Sequence, residues 1–437
     1  MMSDLSKSFP KYTDYEPVVP VYCVTPELSG IVHRFFDTSP FSPSGRYIAL
    51  TRFPFEDRLP IPGDKADVLL VDLTTGEQHL VAETRGWDTQ LGAQVQWGAD
   101  DHCLFFNDVD TNTWKPFGVK VDPIMGKRKE LDGTVYMVSP DGKWAASPCL
   151  LRMGVTQAGY GVIVPAKYVP RNHGASSEDG LYITNTQTGK CSLLISLEEI
   201  FVSAIPPFDR ARYKNGDFYG FHVKWNPQGT RLMFVLRWLP RKNFRRWFIR
   251  NKFRTRLNNV ITMNADGSNV RVAIPDSQWC KGGHHPNWCP DGEHLMMNLN
   301  VHGEGLRFIR ARYDGTGLST LNDSVTGSGH PTMHPDGRHV LTDAYCGEPV
   351  AFGDGTTPIR WIDLHSSEEK HLARIRTLPD FKGKRKQLRV DPHPAWDRDF
   401  KRIAFNACPQ GKRKVFVAEL GAEMTWPPKV EPLFVIG

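Results

Sequence analysis

Four histidines hold corresponding places in a recurring phrase: His222 in FHVKWNPQG, His285 in HHPNWCPDG, His330 in GHPTMHPDG and His393 in DPHPAWDRDF. Each stands four or five residues ahead of a tight turn. A lone histidine of this kind serves most often as a structural hydrogen-bonder. Four in equivalent repeat positions point instead to one shared centre. Asp391, two residues from His393, falls on the same face of an extended strand. Imidazoles with a carboxylate are the usual ligand set for a divalent metal such as Mn2+, Zn2+ or Ca2+. Cys280 and Cys289 flank the phrase at His285, but Cys289 is itself the first turn residue, which favours a core role. Arg237 ends the apolar run LMFVLRW, either snorkelling to solvent or offering a fork to a carboxylate. Tyr160 and Tyr345 are candidate proton donors. Arg152 and Arg171, with Lys167 and His173, decorate an insertion that could reach the same centre, and Arg389 precedes the Asp391 phrase as a possible carboxylate partner. His33 lies nine residues from its turn and need not face that centre; Asp37 is expected to bond backbone near the turn at Ser42. No nucleophile elbow, Walker loop or dinucleotide-binding glycine motif is present.

The elements that must position these residues follow from the turns. SPSG at Ser42, GADD at Gly98, SPDG at Ser139, NPQG at Asn226, CPDG at Cys289, HPDG at His334 and DRDF at Asp397 make seven. Proline presets φ, aspartate bonds its own backbone and glycine accepts positive φ. Each turn is followed by an apolar strand, such as TRLMFVLRW or EHLMMNLN, and most strands by a second hairpin pattern, such as ADVLLVDLTTGEQHLV. Two hairpins per unit make a four-stranded antiparallel sheet. Seven such sheets bury both faces by stacking radially, which predicts an all-β, seven-bladed propeller forming one domain over 1–437. The innermost strand of each blade precedes its turn, so the histidines should meet at the central channel. Insertions fall at about 154–180, rich in Gly and Pro, and at 241–256, where bases alternate with aromatics. The second suits a surface or subunit contact, an acidic polysaccharide or, less well, nucleic acid.

The formal charge is +6, but residues 241–256 carry eight Lys or Arg and no acid, so subtracting those eight leaves −2. The positive charge is local, which argues against a general nucleic-acid binder. Eight scattered cysteines without CxxC spacing suggest reduced thiols, and the first residues show no apolar signal segment. The expected setting is cytoplasmic, or secreted if a leader has been trimmed away. No run approaches 18 apolar residues, so no membrane span is expected.

GHPTMHPDGRHVLTDAY followed by DPHPAWDRDFKRIAFNA resembles the closing blades of the propeller polysaccharide lyases, a superfamily with oligogalacturonate, ulvan and rhamnose–glucuronate lyase and rhamnosidase-like branches. TQLGAQVQW, AGYG, FHVKWNPQGTRLMFVLR and the opening IVHRFFDTSPFSPSGRYIAL are similar to the same superfamily, the opening most to the rhamnose–glucuronate branch. The resemblance implies β-elimination at a uronic acid in an acidic oligosaccharide. It matches His330 and His393 to metal-holding positions, with Asp391 where a histidine is expected and no glutamine to complete the set. His285 matches a basic histidine ahead of the metal site; His222 and Arg237 match a histidine and a carboxylate-binding arginine. In the implied chemistry Arg237 or a metal neutralises the uronate carboxylate, His285 or His222 takes the C5 proton and Tyr160 protonates the leaving oxygen. His33 would be the counterpart of an N-terminal histidine placed on another face in the rhamnosidase-like branch. The alternatives are therefore an α-rhamnosidase-like hydrolase and a non-catalytic propeller binding a glycan or protein. Oligomerisation is compatible with all three.

Overall fold

The computed structural model describes residues 4–241, 256–381, 383 and 387–421. Its strands form seven four-stranded antiparallel sheets, arranged as a seven-bladed propeller. Each turn phrase links the first and second strands of a blade, as the spacing predicts. In CPDG, Gly292 N donates to Cys289 O (3.0 Å) at φ +66°, and Asp291 accepts from the backbone of Glu293 and His294. The seventh turn lacks glycine, and there Phe400 takes φ +55°. Middle strands are buried on both faces because neighbouring blades stack against them; Thr356–Asp363 is buried throughout. Outer strands face water, as the mostly exposed Gln78–Thr84 shows.

Ring closure was not legible in the repeat pattern. The seventh blade has three strands of its own, Ala395–Trp396, Arg402–Ala407 and Lys414–Glu419. Its fourth is the N-terminal Val21–Cys23, paired antiparallel with Lys414–Glu419 in the register Tyr22 to Val417. The short VVPVYCV run is therefore an edge strand that fastens the two ends of the chain.

The first blade departs from the others in another way. Its inner strand, Ile31–Val32, is as short as those of the second, third, sixth and seventh blades, but residues 33–38 then leave the sheet before the turn at Ser42. The insertion expected as a loop begins as a helix, Leu150–Thr156, and continues irregularly to the strand Gly180–Asn185. Residues 242–255 of the basic stretch lie outside the described residues. No helix among the described residues is long and apolar enough to cross a membrane.

Candidate metal and substrate site at the propeller axis

The four phrase histidines belong to the fourth, fifth, sixth and seventh blades. His222 sits at a bulge in Gly216–Trp225 and His285 at a bulge in Gly283–Trp288. His285 and His393 hold φ of +56° and +52°. Left-handed backbone is uncommon for a residue with a Cβ and is retained mainly where it aims a group. His330 follows Gly329, whose φ is +65°; a Cβ there would lie 2.1 Å from the Asp343 carbonyl oxygen. Sequence spacing thus sets the place of each ring, and local backbone bends turn it toward the axis.

The rings converge. His285 stacks on His330 with centroids 3.9 Å apart, and His330 meets His393 edge-on at 4.3 Å. Ligand atoms of His330, Asp391 and His393 all lie within 4.8 Å of one another. His330 Nδ1–H donates to both Asp343 oxygens (2.9 and 3.0 Å), which leaves Nε2 as the atom with a free lone pair. That Nε2 and both ring nitrogens of His393 are buried without a hydrogen-bond partner. One such nitrogen from each of His330 and His393, beside the Asp391 carboxylate, fits a cation that prefers mixed N/O donors. Asp343 also accepts from the His393 backbone N–H (3.1 Å), so one carboxylate orients two of the ligands. Burial favours its neutral form, but His330 and these hydrogen bonds outweigh that and hold Asp343 below the ordinary carboxylate range. Burial, followed by neighbouring imidazoles or cations, holds His222, His285 and His393 well below the imidazole range. They are neutral at ordinary pH, the state needed to bind a metal or accept a proton.

The accessible side of the cluster carries polar groups. His285 Nδ1–H donates to Gly329 O (2.7 Å), so Nε2 presents its lone pair, to which the Tyr345 hydroxyl donates (3.2 Å). Burial raises the Tyr345 phenol well above its usual range, so it keeps its proton. Arg389 Nε donates to both Asp391 oxygens (3.1 and 2.8 Å), and its terminal nitrogen donates to the Tyr160 hydroxyl (3.2 Å). Tyr160 reaches the axis because Gly161 N donates to the buried carboxylate of Asp88 (2.8 Å), which pins the insertion to the second blade. The Tyr160 ring then lies 6.2 Å from His222.

Several of the other candidate residues are placed differently from expectation. Arg237 does not snorkel: it is buried, stacks over Phe221 at 3.1 Å and donates to Thr156 Oγ1 and Gln157 Oε1 (2.9 and 3.0 Å). His222 Nδ1 is occupied by the Tyr136 hydroxyl. Arg152 pairs with buried Asp179 at 3.2 Å rather than facing the histidines, and Arg171 is exposed. His33, which its spacing did not require to face the centre, is fully buried beside His393 with ring centroids 6.4 Å apart. Burial pushes it down to about 4. Asp37 bonds no turn backbone; it pairs with Arg34 (2.7 Å) and Lys224 (2.9 Å). Cys289 is core, and all eight cysteines are free thiols.

Several contributors escaped the spacing argument. Asp343 follows the sixth blade's second strand, and nothing in TDAY marks it as the partner of two histidines. His284 accepts from Asn298 Nδ2 (3.2 Å) and faces Glu348 at 3.9 Å. Gln94 was legible in principle: it stands four residues before the turn at Gly98, the place histidine holds elsewhere, with φ +60°. Its side-chain oxygen accepts from Arg34 Nε (2.9 Å) rather than joining the ligand cluster.

No family model matches the chain and no curated protein matches it. Solved structures do. The chain is similar to an oligogalacturonate lyase in complex with manganese, at TM-score 0.62 and 16% identity, covering 95% of this chain and 96% of that one. It is equally similar to an oligogalacturonate lyase from Vibrio parahaemolyticus, at TM-score 0.62 and 14% identity, covering 97% and 98%. At such identities the likeness establishes a shared propeller fold over the full length of both chains.

Proposed function

We propose that the protein is a lyase that cleaves a uronic-acid-containing oligosaccharide by β-elimination. The observation that carries this reading is the juxtaposition of a neutral histidine–tyrosine pair, His285 and Tyr345, with the buried trio His330, Asp391 and His393. The C5 proton of a uronate is weakly acidic, and its removal builds a second negative charge next to the carboxylate. That charge must be stabilised where it develops. A divalent cation held by His330, Asp391 and His393 would supply Lewis-acid neutralisation of that carboxylate. Manganese is favoured by the donor set and by its presence in the oligogalacturonate lyase described above. Arg389 braces Asp391 and, with Tyr160, borders the site with a second positive group. His285 Nε2 takes the C5 proton; Tyr345, released from its bond to that lone pair, donates its proton to the departing glycosidic oxygen. This assigns the acid role to Tyr345 and leaves Tyr160 to position Arg389.

The test is incubation of the purified, Mn2+-loaded protein with oligomers of galacturonate, of glucuronate and of rhamnose–glucuronate. An unsaturated product absorbing in the near ultraviolet is expected from one of these. Release of rhamnose without a new double bond would overturn the lyase and favour the α-rhamnosidase-like alternative. Binding without turnover of any of them would leave a glycan-binding propeller. Burial of His33 against His393, as part of the axial cluster, supports the lyase reading over the hydrolase one.

A further inference from the structure

The segment that leaves the first blade, His33-Arg34-Phe35-Phe36-Asp37-Thr38, crosses the axis and touches all six other blades. Arg34 donates to Gln94 Oε1 of the second blade (2.9 Å) and to Tyr136 O of the third. Asp37 pairs with Lys224 of the fourth. Phe35 faces His285 of the fifth blade and His330 of the sixth. His33 N donates to Asn406 Oδ1 of the seventh (3.0 Å).

At the centre of this plug is one ring. Phe35 is 1% exposed and lies 5.4 Å from His222, 6.2 Å from His285, 5.8 Å from His330 and 4.7 Å from His393. It stacks on His222 and presents itself edge-on to the other three. Phe36 backs it against His285 and His330 at 5.7 and 5.2 Å, and the Lys224 ammonium sits 4.2 Å over the Phe36 ring. His393 has no hydrogen bond from either ring nitrogen, and His330 has none from Nε2. Hydrogen bonding therefore fixes the ring of His330 through Asp343 alone and does not fix the ring of His393. Packing must supply the remainder, since a side chain fills the space available to its rotamers.

We infer that Phe35 is a positioning residue for the metal-ligand imidazoles: an aromatic wedge on the axial plug that holds His393 and His330 aimed at one point. This rests on the trio being a metal site but not on the reaction assigned above. The wedge gives a role to residues 33–38, which part the first blade's inner strand from its turn. A strand would keep its side chains in its own sheet, whereas a crossing segment can place one ring among four blades.

The variants are Phe35→Leu and Phe35→Ala, with Phe106→Leu as the control, a fully buried phenylalanine in the core of the second blade. Two measurements separate positioning from general stability. The first is binding of Co2+, read by its visible absorption and by titration. Phe35→Leu should weaken it at least about tenfold and alter the band shape, as loss of a ligand-orienting neighbour does. Phe106→Leu should leave both unchanged at equal thermal stability. The second needs no metal: carbethoxylation by diethyl pyrocarbonate, mapped by peptide mass spectrometry. His393 and His330 should be protected in the parent and react at least about tenfold faster in Phe35→Ala, with the more exposed His371 unaffected. Native-like Co2+ affinity and spectrum in folded Phe35→Leu would overturn the inference. So would continued protection of His393 in Phe35→Ala. If the parent binds no Co2+, the metal reading fails, and the modification rates alone decide whether the wedge orders the rings.

Discussion

Asp343 does the most at the scale of single residues, because one carboxylate fixes the tautomer of His330 and the backbone of His393. Asp343→Asn keeps the shape but cannot accept at both oxygens, so the His330 ring loses half of its anchor. Metal affinity should fall by roughly 10- to 100-fold, measured by elemental analysis after dialysis against graded Mn2+. The Tyr345 hydroxyl donates to His285 Nε2, so Tyr345→Phe removes one proton donor and little packing. A loss of about 10²- to 10⁴-fold in kcat with KM nearly unchanged is expected of a general acid. An unchanged kcat would return the acid role to Tyr160. The four histidines could be found from their offset to the turn, since a repeat puts equivalent residues at equivalent heights. Asp343 could not, because it acts from a loop whose length varies between blades.

At the scale of elements, the insertion that carries Tyr160 is tied down by Asp88, which accepts from Gln90 N, Leu91 N and Gly161 N. Burial pushes its carboxyl up to about 7 from an ordinary value of 3.8, with the three N–H donors opposing. The sign of the consequence is fixed by linkage. The folded state holds a proton that the unfolded chain has released between those two values. The stability contributed by that proton is complete below about 4 and lost as the pH rises through about 7. The urea midpoint should therefore fall between pH 4.5 and pH 7.5 by more in the parent than in Asp88→Asn, which has no proton to release. Equal slopes in the two proteins would refute the assignment. The insertion was legible as a long Gly- and Pro-rich stretch. Its helix Leu150–Thr156 was not, because it lacks a side-chain cap and an acidic first turn and is held by packing instead.

The whole molecule is a ring, and rings need a closure. Here it is the pairing of Val21–Cys23 with Lys414–Glu419, reinforced by Val24 N to Val415 O (3.0 Å). Deleting the chain through Cys23 would leave Lys414–Glu419 as an open edge with unpaired backbone groups. A fall in melting temperature on the order of 5–10 °C is expected, together with concentration-dependent association by light scattering. A truncated chain that melts with the parent and stays monomeric would show that the ring closes by packing of blade faces alone.

Local chemistry was enough to reveal the turns, the strand runs between them and hence the seven blades. Proline, aspartate and glycine dictate backbone angles over four residues, and alternating burial needs no knowledge of distant neighbours. The same reasoning placed His222, His285, His330 and His393 at one height ahead of their turns, the first two on inner strands and the last two just before theirs. Only the tertiary structure decided what those rings meet. Phe35, Asp343, Arg389 and Tyr160 come from segments up to 354 residues apart, between Phe35 and Arg389, and no local rule couples them. Whether an imidazole binds a metal or satisfies a backbone carbonyl depends on which groups surround it in three dimensions, and closing the ring is what sets those surroundings.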